Sequence, residues 1–202
     1  MRIQSALGVL ISASVIYGVW AHWSHSQSVD PGLGVVAPHQ PIQGDPPAPD
    51  PFFYKDHVIY PLASFDLTAR ILAKKDYTLG REAQFSPVDV ALGWGPMSDA
   101  AVLQSITITQ SNRWYFWRTP SPPIPKRQIE THSANMHLVP ATPTLAAQIK
   151  ALRPGQVIRL TGSLIRIEGR DGWGWQSSLT REDTGNGACE LIWVETLRVI
   201  AP

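Results

Sequence analysis

Two stretches of this 202-residue chain combine residue types that could carry chemistry. The first runs Glu130-Thr131-His132-Ser133-Ala134-Asn135-Met136-His137 and gathers two imidazoles, a carboxylate and an amide. The second, Ser177 to Glu190, brings Arg181, Asp183, Asn186 and the glycines Gly185 and Gly187 up to the single cysteine, Cys189. A cysteine becomes a nucleophile when a neighbouring imidazole lowers its pKa or takes its proton. Cys189 with His132 or His137 and Asn135 is therefore the one catalytic constellation the sequence offers. Glu190 opposes it, since a carboxylate beside sulfur raises the thiol pKa. A cysteine opening the apolar run Leu191, Ile192, Val194 also reads as a small buried hydrophobe.

Glu130, His132 and His137 are candidate metal ligands. On a helix the two histidines lie five apart, not at the i, i+4 spacing that clamps one ion. On a strand Glu130 and His132 share a face and His137 points the other way. A metal would need Asp183 or Glu190 as a further ligand, so the plainer expectation is a polar loop packing one histidine against the domain. No phosphate-cradling loop, dinucleotide fingerprint or serine elbow occurs, and no cofactor is expected.

Binding is the better use of these residues. Trp114-Tyr115-Phe116-Trp117 is a run of four aromatics, and strand alternation turns about two of them away from any single core face. Exposed aromatics suit a ligand or protein interface. Gly185 and Gly187 would let the loop offer backbone N–H groups to an anion, with Arg181 adding charge. Trp114, Trp117, Arg181, Asp183 and Asn186 are thus the candidate binding residues.

The elements that must position these groups read as mainly β. Phe65, Leu67, Ala69 and Ile71 alternate with polar residues, as in a half-buried strand. Ser86-Pro87 resembles a helix start and predicts a short helix over Val88 to Leu92. Ser98 is expected to cap another, Asp99 to Gln104. Ile106 to Thr109 and Arg113 to Arg118 are strand-like. Thr142-Pro143 opens a helix carrying Leu145, Ile149 and Leu152, ended by Pro154-Gly155. Val157 to Ile167 is one long strand or two, bent at Gly162, and Cys189 to Val199 is the last. The expected fold class is mainly β (α+β): a partly closed small barrel or sandwich, OB-like, with short helices.

Ahead of that domain, Ser5 to Ala21 holds no charge, and Tyr17, Trp20 and Trp23 cluster at its end. Such a run matches a hydrocarbon core about 30 Å thick, and aromatic rings favour its interface. The expected organisation is a cytoplasmic N-terminus over 1–4, a transmembrane anchor over 5–23, a Pro/Gly-rich stalk over 24–51 and a globular domain over 52–202. Localisation would be the inner membrane, single-pass, with the domain in the periplasm. Cleavage after Ala21 would instead release it as a secreted protein. A net charge of +1 removes the electrostatic case for nucleic acid.

Three stretches, Ala91 to Ser98, Glu130 to His137 and Ser177 to Glu190, resemble a group of small uncharacterised bacterial membrane-anchored proteins. The resemblance implies a membrane-proximal home and transfers no activity. Cysteine-dependent peptidoglycan transpeptidases carry Ser-His-Gly-Cys followed closely by Arg. Here Gly187-Ala188-Cys189-Glu190 stands instead, so that likeness fails where it matters. The expected function is a non-enzymatic, membrane-anchored domain that binds a protein or cell-envelope component. The alternative is an envelope hydrolase or transferase using Cys189 with His132 or His137.

Overall fold

The computed structural model describes residues 28–183 and 188–202. The expected anchor and cleavage site lie outside them. No helix among the described residues is long and apolar enough to cross a membrane.

The chain is mainly β with a mixed sheet. Its organising element is β3 (His57–Asp76), a 20-residue strand with two long partners besides two three-residue ones. One stretch of β3, from Val58 to Arg70, pairs with β8 (Val157–Glu168), and the last, from Arg70 to Asp76, with β4 (Val88–Gly93). From β4 the pairing passes to β7 (Ser133–Pro140), then parallel to β10 (Glu190–Ala201), and antiparallel back to β8. Five strands therefore close into a ring. Bulges at Pro61/Ala63 and Ile71/Ala73 let β3 bend enough to serve both partners. Pro61, which has no N–H to give the ladder, sits at the first of them.

Alternation along each strand fills the ring. Phe65, Leu67, Val90, Leu92, Met136, Leu138, Leu160 and Ile192 form one buried cluster. Helix α4 (Pro143–Ala151) follows β7 directly and closes that end with Leu145 and Ile149. Its expected cap is present: Thr142 Oγ1 accepts from the Leu145 N–H at 3.2 Å. A second cluster on the outer face joins Ile59, Ile165, Ile167 and Leu191 to Phe85, covered by β2 (Phe52–Tyr54) and β9 (Gly174–Gln176). Phe85 comes from α1 (Arg81–Phe85), which Arg81 ties to the β8–β9 turn through Asp171 at 2.6 Å.

Several local expectations are corrected. Val88 to Leu92 is the strand β4, not a helix, because every residue is buried between β3 and β7 and its valines suit a pleated sheet. Asp99, not Ser98, caps the next helix, α2 (Ala100–Leu103), by accepting from the Ala101 N–H. Ser98 is instead buried and donates to the Gly95 carbonyl at 2.8 Å. The Glu130–His137 stretch is no loop: it is the end of α3 (Lys126–Thr131) followed by the buried strand β7.

The expected stalk over 24–51 also differs where it is described. The Val29 N–H donates to the Pro154 carbonyl at 2.9 Å. Ala37 is fully buried, its N–H donating to Ser98 Oγ at 3.1 Å, and β1 (Ile42–Gly44) pairs with β3. A segment rich in Pro and Gly builds little structure of its own, yet its free backbone groups bond to the domain beside it. Exposed residues remain at 32–35, 38–40 and, except Pro46, through 42–51.

Gly162 marks the closest approach in the ring. A Cβ there would collide with the Trp193 carbonyl oxygen of β10. Gly162→Val is expected to lower stability by roughly 1–3 kcal/mol, as overpacking does, read as an earlier urea midpoint.

Candidate functional site

The 94–132 connection between β4 and β7 builds the site. Within it β5 (Thr107–Ser111) and β6 (Trp114–Arg118) form a hairpin turned by Asn112 and Arg113, both at positive φ. The hairpin lies over the outer face of β4 and β7, where Asp89, Ser133, Asn135 and His137 are buried polar residues. Asp89 is fully buried. Its Oδ1 accepts from Arg113 Nη1 at 2.7 Å and Ser86 Oγ at 3.3 Å. His137 Nδ1 also stands 2.9 Å from that oxygen but is not aligned as a hydrogen bond. Arg113 stacks on Tyr77 at 3.8 Å, and its N–H donates to the Tyr77 hydroxyl. Along the hairpin, Gln110 Nε2 donates to Asn135 Oδ1 at 2.6 Å, and Asn135 Nδ2 to the Arg113 carbonyl at 2.9 Å. The Tyr115 hydroxyl donates to the Ser133 carbonyl at 3.2 Å.

Among the four aromatics of β6, Trp114, Tyr115 and Trp117 are half-buried and Phe116 is exposed. Phe116 is 53% exposed, while Trp117 packs towards Met97, Ile106 and Ile129. Trp114 stands between two cavities. One, of about 270 Å³, is walled by Trp114, Tyr115 and Trp117 on one side and by Arg181, Asp183 and Glu190 on another. Glu130, Ala134 and Cys189 complete it. It opens at the end of the ring away from α4. The other, of about 280 Å³, lies between Trp114, Arg113, His137, Trp175 and Cys189.

Four of the five expected binding residues, Trp114, Trp117, Arg181 and Asp183, thus line one cavity. Asn186 lies outside the described residues. At the cavity's inner end Arg181 Nε lies 2.7 Å from Glu190 Oε1, and its guanidinium sits 5.3 Å above the Phe65 ring. Glu190 is 1% exposed. Burial pushes its carboxyl up to about 8, and Arg181 offsets only part of that rise. Glu190 Oε2 and Arg181 Nη1 are both buried without a hydrogen-bond partner.

The expected catalytic set is only partly assembled. Cys189 Sγ has Asn135 Nδ2 at 4.0 Å and the Arg113 carbonyl at 3.8 Å. His137 shares a cavity with Cys189, but no hydrogen bond joins them among the described residues. His132 lies elsewhere: its Nδ1 is 3.0 Å from the Gln128 carbonyl, and its ring packs over Gly95. Burial pushes the Cys189 thiol up to about 12, and Glu190, Asp89 and Asp183 press the same way. A nucleophilic cysteine needs the reverse, an electropositive surround. No group of three metal-ligating side chains occurs among the described residues. Glu130 faces the cavity, while His137 lies under the hairpin against Asp89, so the proposed ligand set is not brought together.

Sequence reasoning missed Asp89, Arg113 and the pairing of Arg181 with Glu190. A signal for the first was present, because a carboxylate inside Val88-Asp89-Val90 on a buried strand must find a partner. No family model, curated protein or solved structure matches the chain.

Two measurements check these electrostatics. At pH 7 Cys189 should react with a maleimide far more slowly than a free thiol and reach the normal rate only in denaturant. Glu190 gives a stability dependence of definite sign. Its carboxyl rises from 4.5 to about 8 on folding, so folded chains hold a proton that unfolded chains release. The stabilisation is complete below the unfolded value and is lost as pH rises towards 8, by up to about 1.4 kcal/mol per pH unit. Glu190→Gln should flatten that slope in urea titrations.

Proposed function

We propose that this chain is a membrane-tethered, non-enzymatic binding protein whose OB-like barrel presents the Trp114–Glu190 cavity to a cell-envelope ligand. The observation that carries the reading is the cavity's inner end. A buried acceptor, Glu190 Oε2, and a buried donor, Arg181 Nη1, stand without partners beside aromatic walls. Leaving such groups unpaired costs roughly 1–3 kcal/mol each, which a ligand supplying both bonds recovers. Convergent polar groups in a concave, largely apolar site are the ordinary form of a small-molecule pocket.

The OB-like reading of the ring is supported by its strand order, β3-β4-β7-β10-β8, by the parallel β7–β10 pair and by a helix between β7 and β8. In such barrels nucleic acid commonly lies across the second and third strands. Here the hairpin covers the matching strands, β4 and β7, which together with near-zero net charge points away from that use. Placement outside the inner membrane, or secretion after cleavage, rests on the uncharged stretch Ser5 to Ala21. The high pKa of Cys189 and its missing base argue against the hydrolase or transferase alternative.

The test is thermal shift of the full chain against sugars, amino acids, amines and muropeptides. At a ligand concentration about 100 times its Kd, binding adds roughly 2.7 kcal/mol, a clear rise in Tm. At least one class should give it, and Trp114→Ala should abolish it. If no class moves Tm, the binding reading fails.

A further inference from the structure

The cavity carries a charge bias that indicates its ligand. Three acidic side chains, Glu130, Asp183 and Glu190, line it against one guanidinium, Arg181, and burial keeps Glu190 protonated at pH 7 until a cation reaches it. That cation is partly engaged, although its Nε and Nη1 make no hydrogen bond. Its Nε lies against Glu190 Oε1, its Nη2 donates to the Ser178 carbonyl at 3.3 Å, and its plane covers Phe65. The carboxylate bias is felt by the neighbouring groups: burial raises the Tyr115 hydroxyl pKa, and Glu190 and Glu130 add to it. An acidic set alone would mean little. Here Glu190 is 1% exposed and keeps one oxygen, Oε2, without a hydrogen bond. Trp114, Tyr115 and Trp117 contribute rings to the same space.

These features select among ligand charges. An anion would meet the carboxylates of Glu130 and Asp183. A neutral alcohol could donate to Glu190 Oε2 but would gain nothing from the remaining charge or from the ring faces. A primary ammonium displaces the Glu190 proton to solvent, donates to Oε2, balances the other carboxylates and is attracted to the aromatic faces. We infer that the cavity takes an alkylammonium group, the amine end of a small free amine or of a lysine-type side chain, held by Glu190 Oε2 and the aromatic walls of β6. Arg181 Nη1 offers a second anchor to an oxygen on the same ligand. This inference rests on the binding reading above and adds its chemical class.

The experiment is calorimetric titration of the full chain in detergent micelles with pentylamine, 1-pentanol and pentanoate, which share a chain and differ in charge. Pentylamine should bind, with the alcohol and the acid weaker by about tenfold or more, a difference of about 1.4 kcal/mol. Glu190→Gln should weaken pentylamine by about tenfold while the chain still unfolds cooperatively. Asp183→Asn, more exposed and so safe for folding, should weaken it by a smaller factor. Equal binding of pentanol and pentylamine, or full amine affinity in the doubly substituted Glu190→Gln, Asp183→Asn chain, would overturn the proposal. A comparison of 1,5-diaminopentane with Nα-acetyl-lysine amide separates the two sources, the tighter ligand naming the free amine or the polypeptide side chain. If neutral envelope compounds raise Tm and no amine does, the charge class fails and the binding reading stands. If nothing binds, both fall.

Discussion

The contact between Arg113 and Asp89 holds the rest of the site in place. Asp89 is buried on β4 beneath the hairpin, beside Ser86 and His137, and a buried carboxylate is tolerable only if a cation reaches it. That cation stands at the tip of a hairpin whose turn puts Arg113 itself at positive φ. A non-glycine residue pays for that backbone conformation, so the ion pair and the Tyr77 stack must outweigh it. With the tip pinned, Gln110 and Tyr115 align along β7, and β6 becomes a fixed wall over the open end of the ring. The cavity therefore exists because a charge was placed inside a strand.

The same arrangement leaves the histidines and the cysteine without a nucleophile–base hydrogen bond among the described residues. His137 is held against Asp89 and lies 4.8 Å from the Trp175 ring. Cys189 sits among carboxylates that disfavour its thiolate. Residue type drew these groups together as candidates, but reactivity depends on burial and on the sign of the surrounding charge, which only the folded arrangement fixes.

The sequence was legible where one physical cause dominated. The long β8, the Thr142-capped helix and the strands β5 and β6 all followed from periodicity, caps and β-branched residues. It misled where tertiary burial overrode local preference. Ser86-Pro87 looked like a helix start, yet Val88 to Gly93 is buried on every residue as a central strand. Glu130 to His137 looked like a polar loop because its Ser, Asn and His face a covering hairpin rather than water. For the cavity, Trp114, Trp117, Arg181 and Asp183 were visible as a set. Their meeting with Glu190 was not, since it depends on how a ring of strands closes over more than 100 residues of chain.

The docking of the N-terminal segment sets a limit on reach. From Val29 onward the backbone is bonded to the domain, at Pro154, and then at Ser98 through Ala37. If the anchor over 5–23 crosses a bilayer, five residues separate it from Val29, and at about 3.5 Å per residue they can span no more than about 18 Å. Such a leash confines the cavity to a thin shell above the lipid headgroups. Partners would then be met by lateral diffusion in two dimensions, and a ligand buried deep in the cell wall would stay out of range.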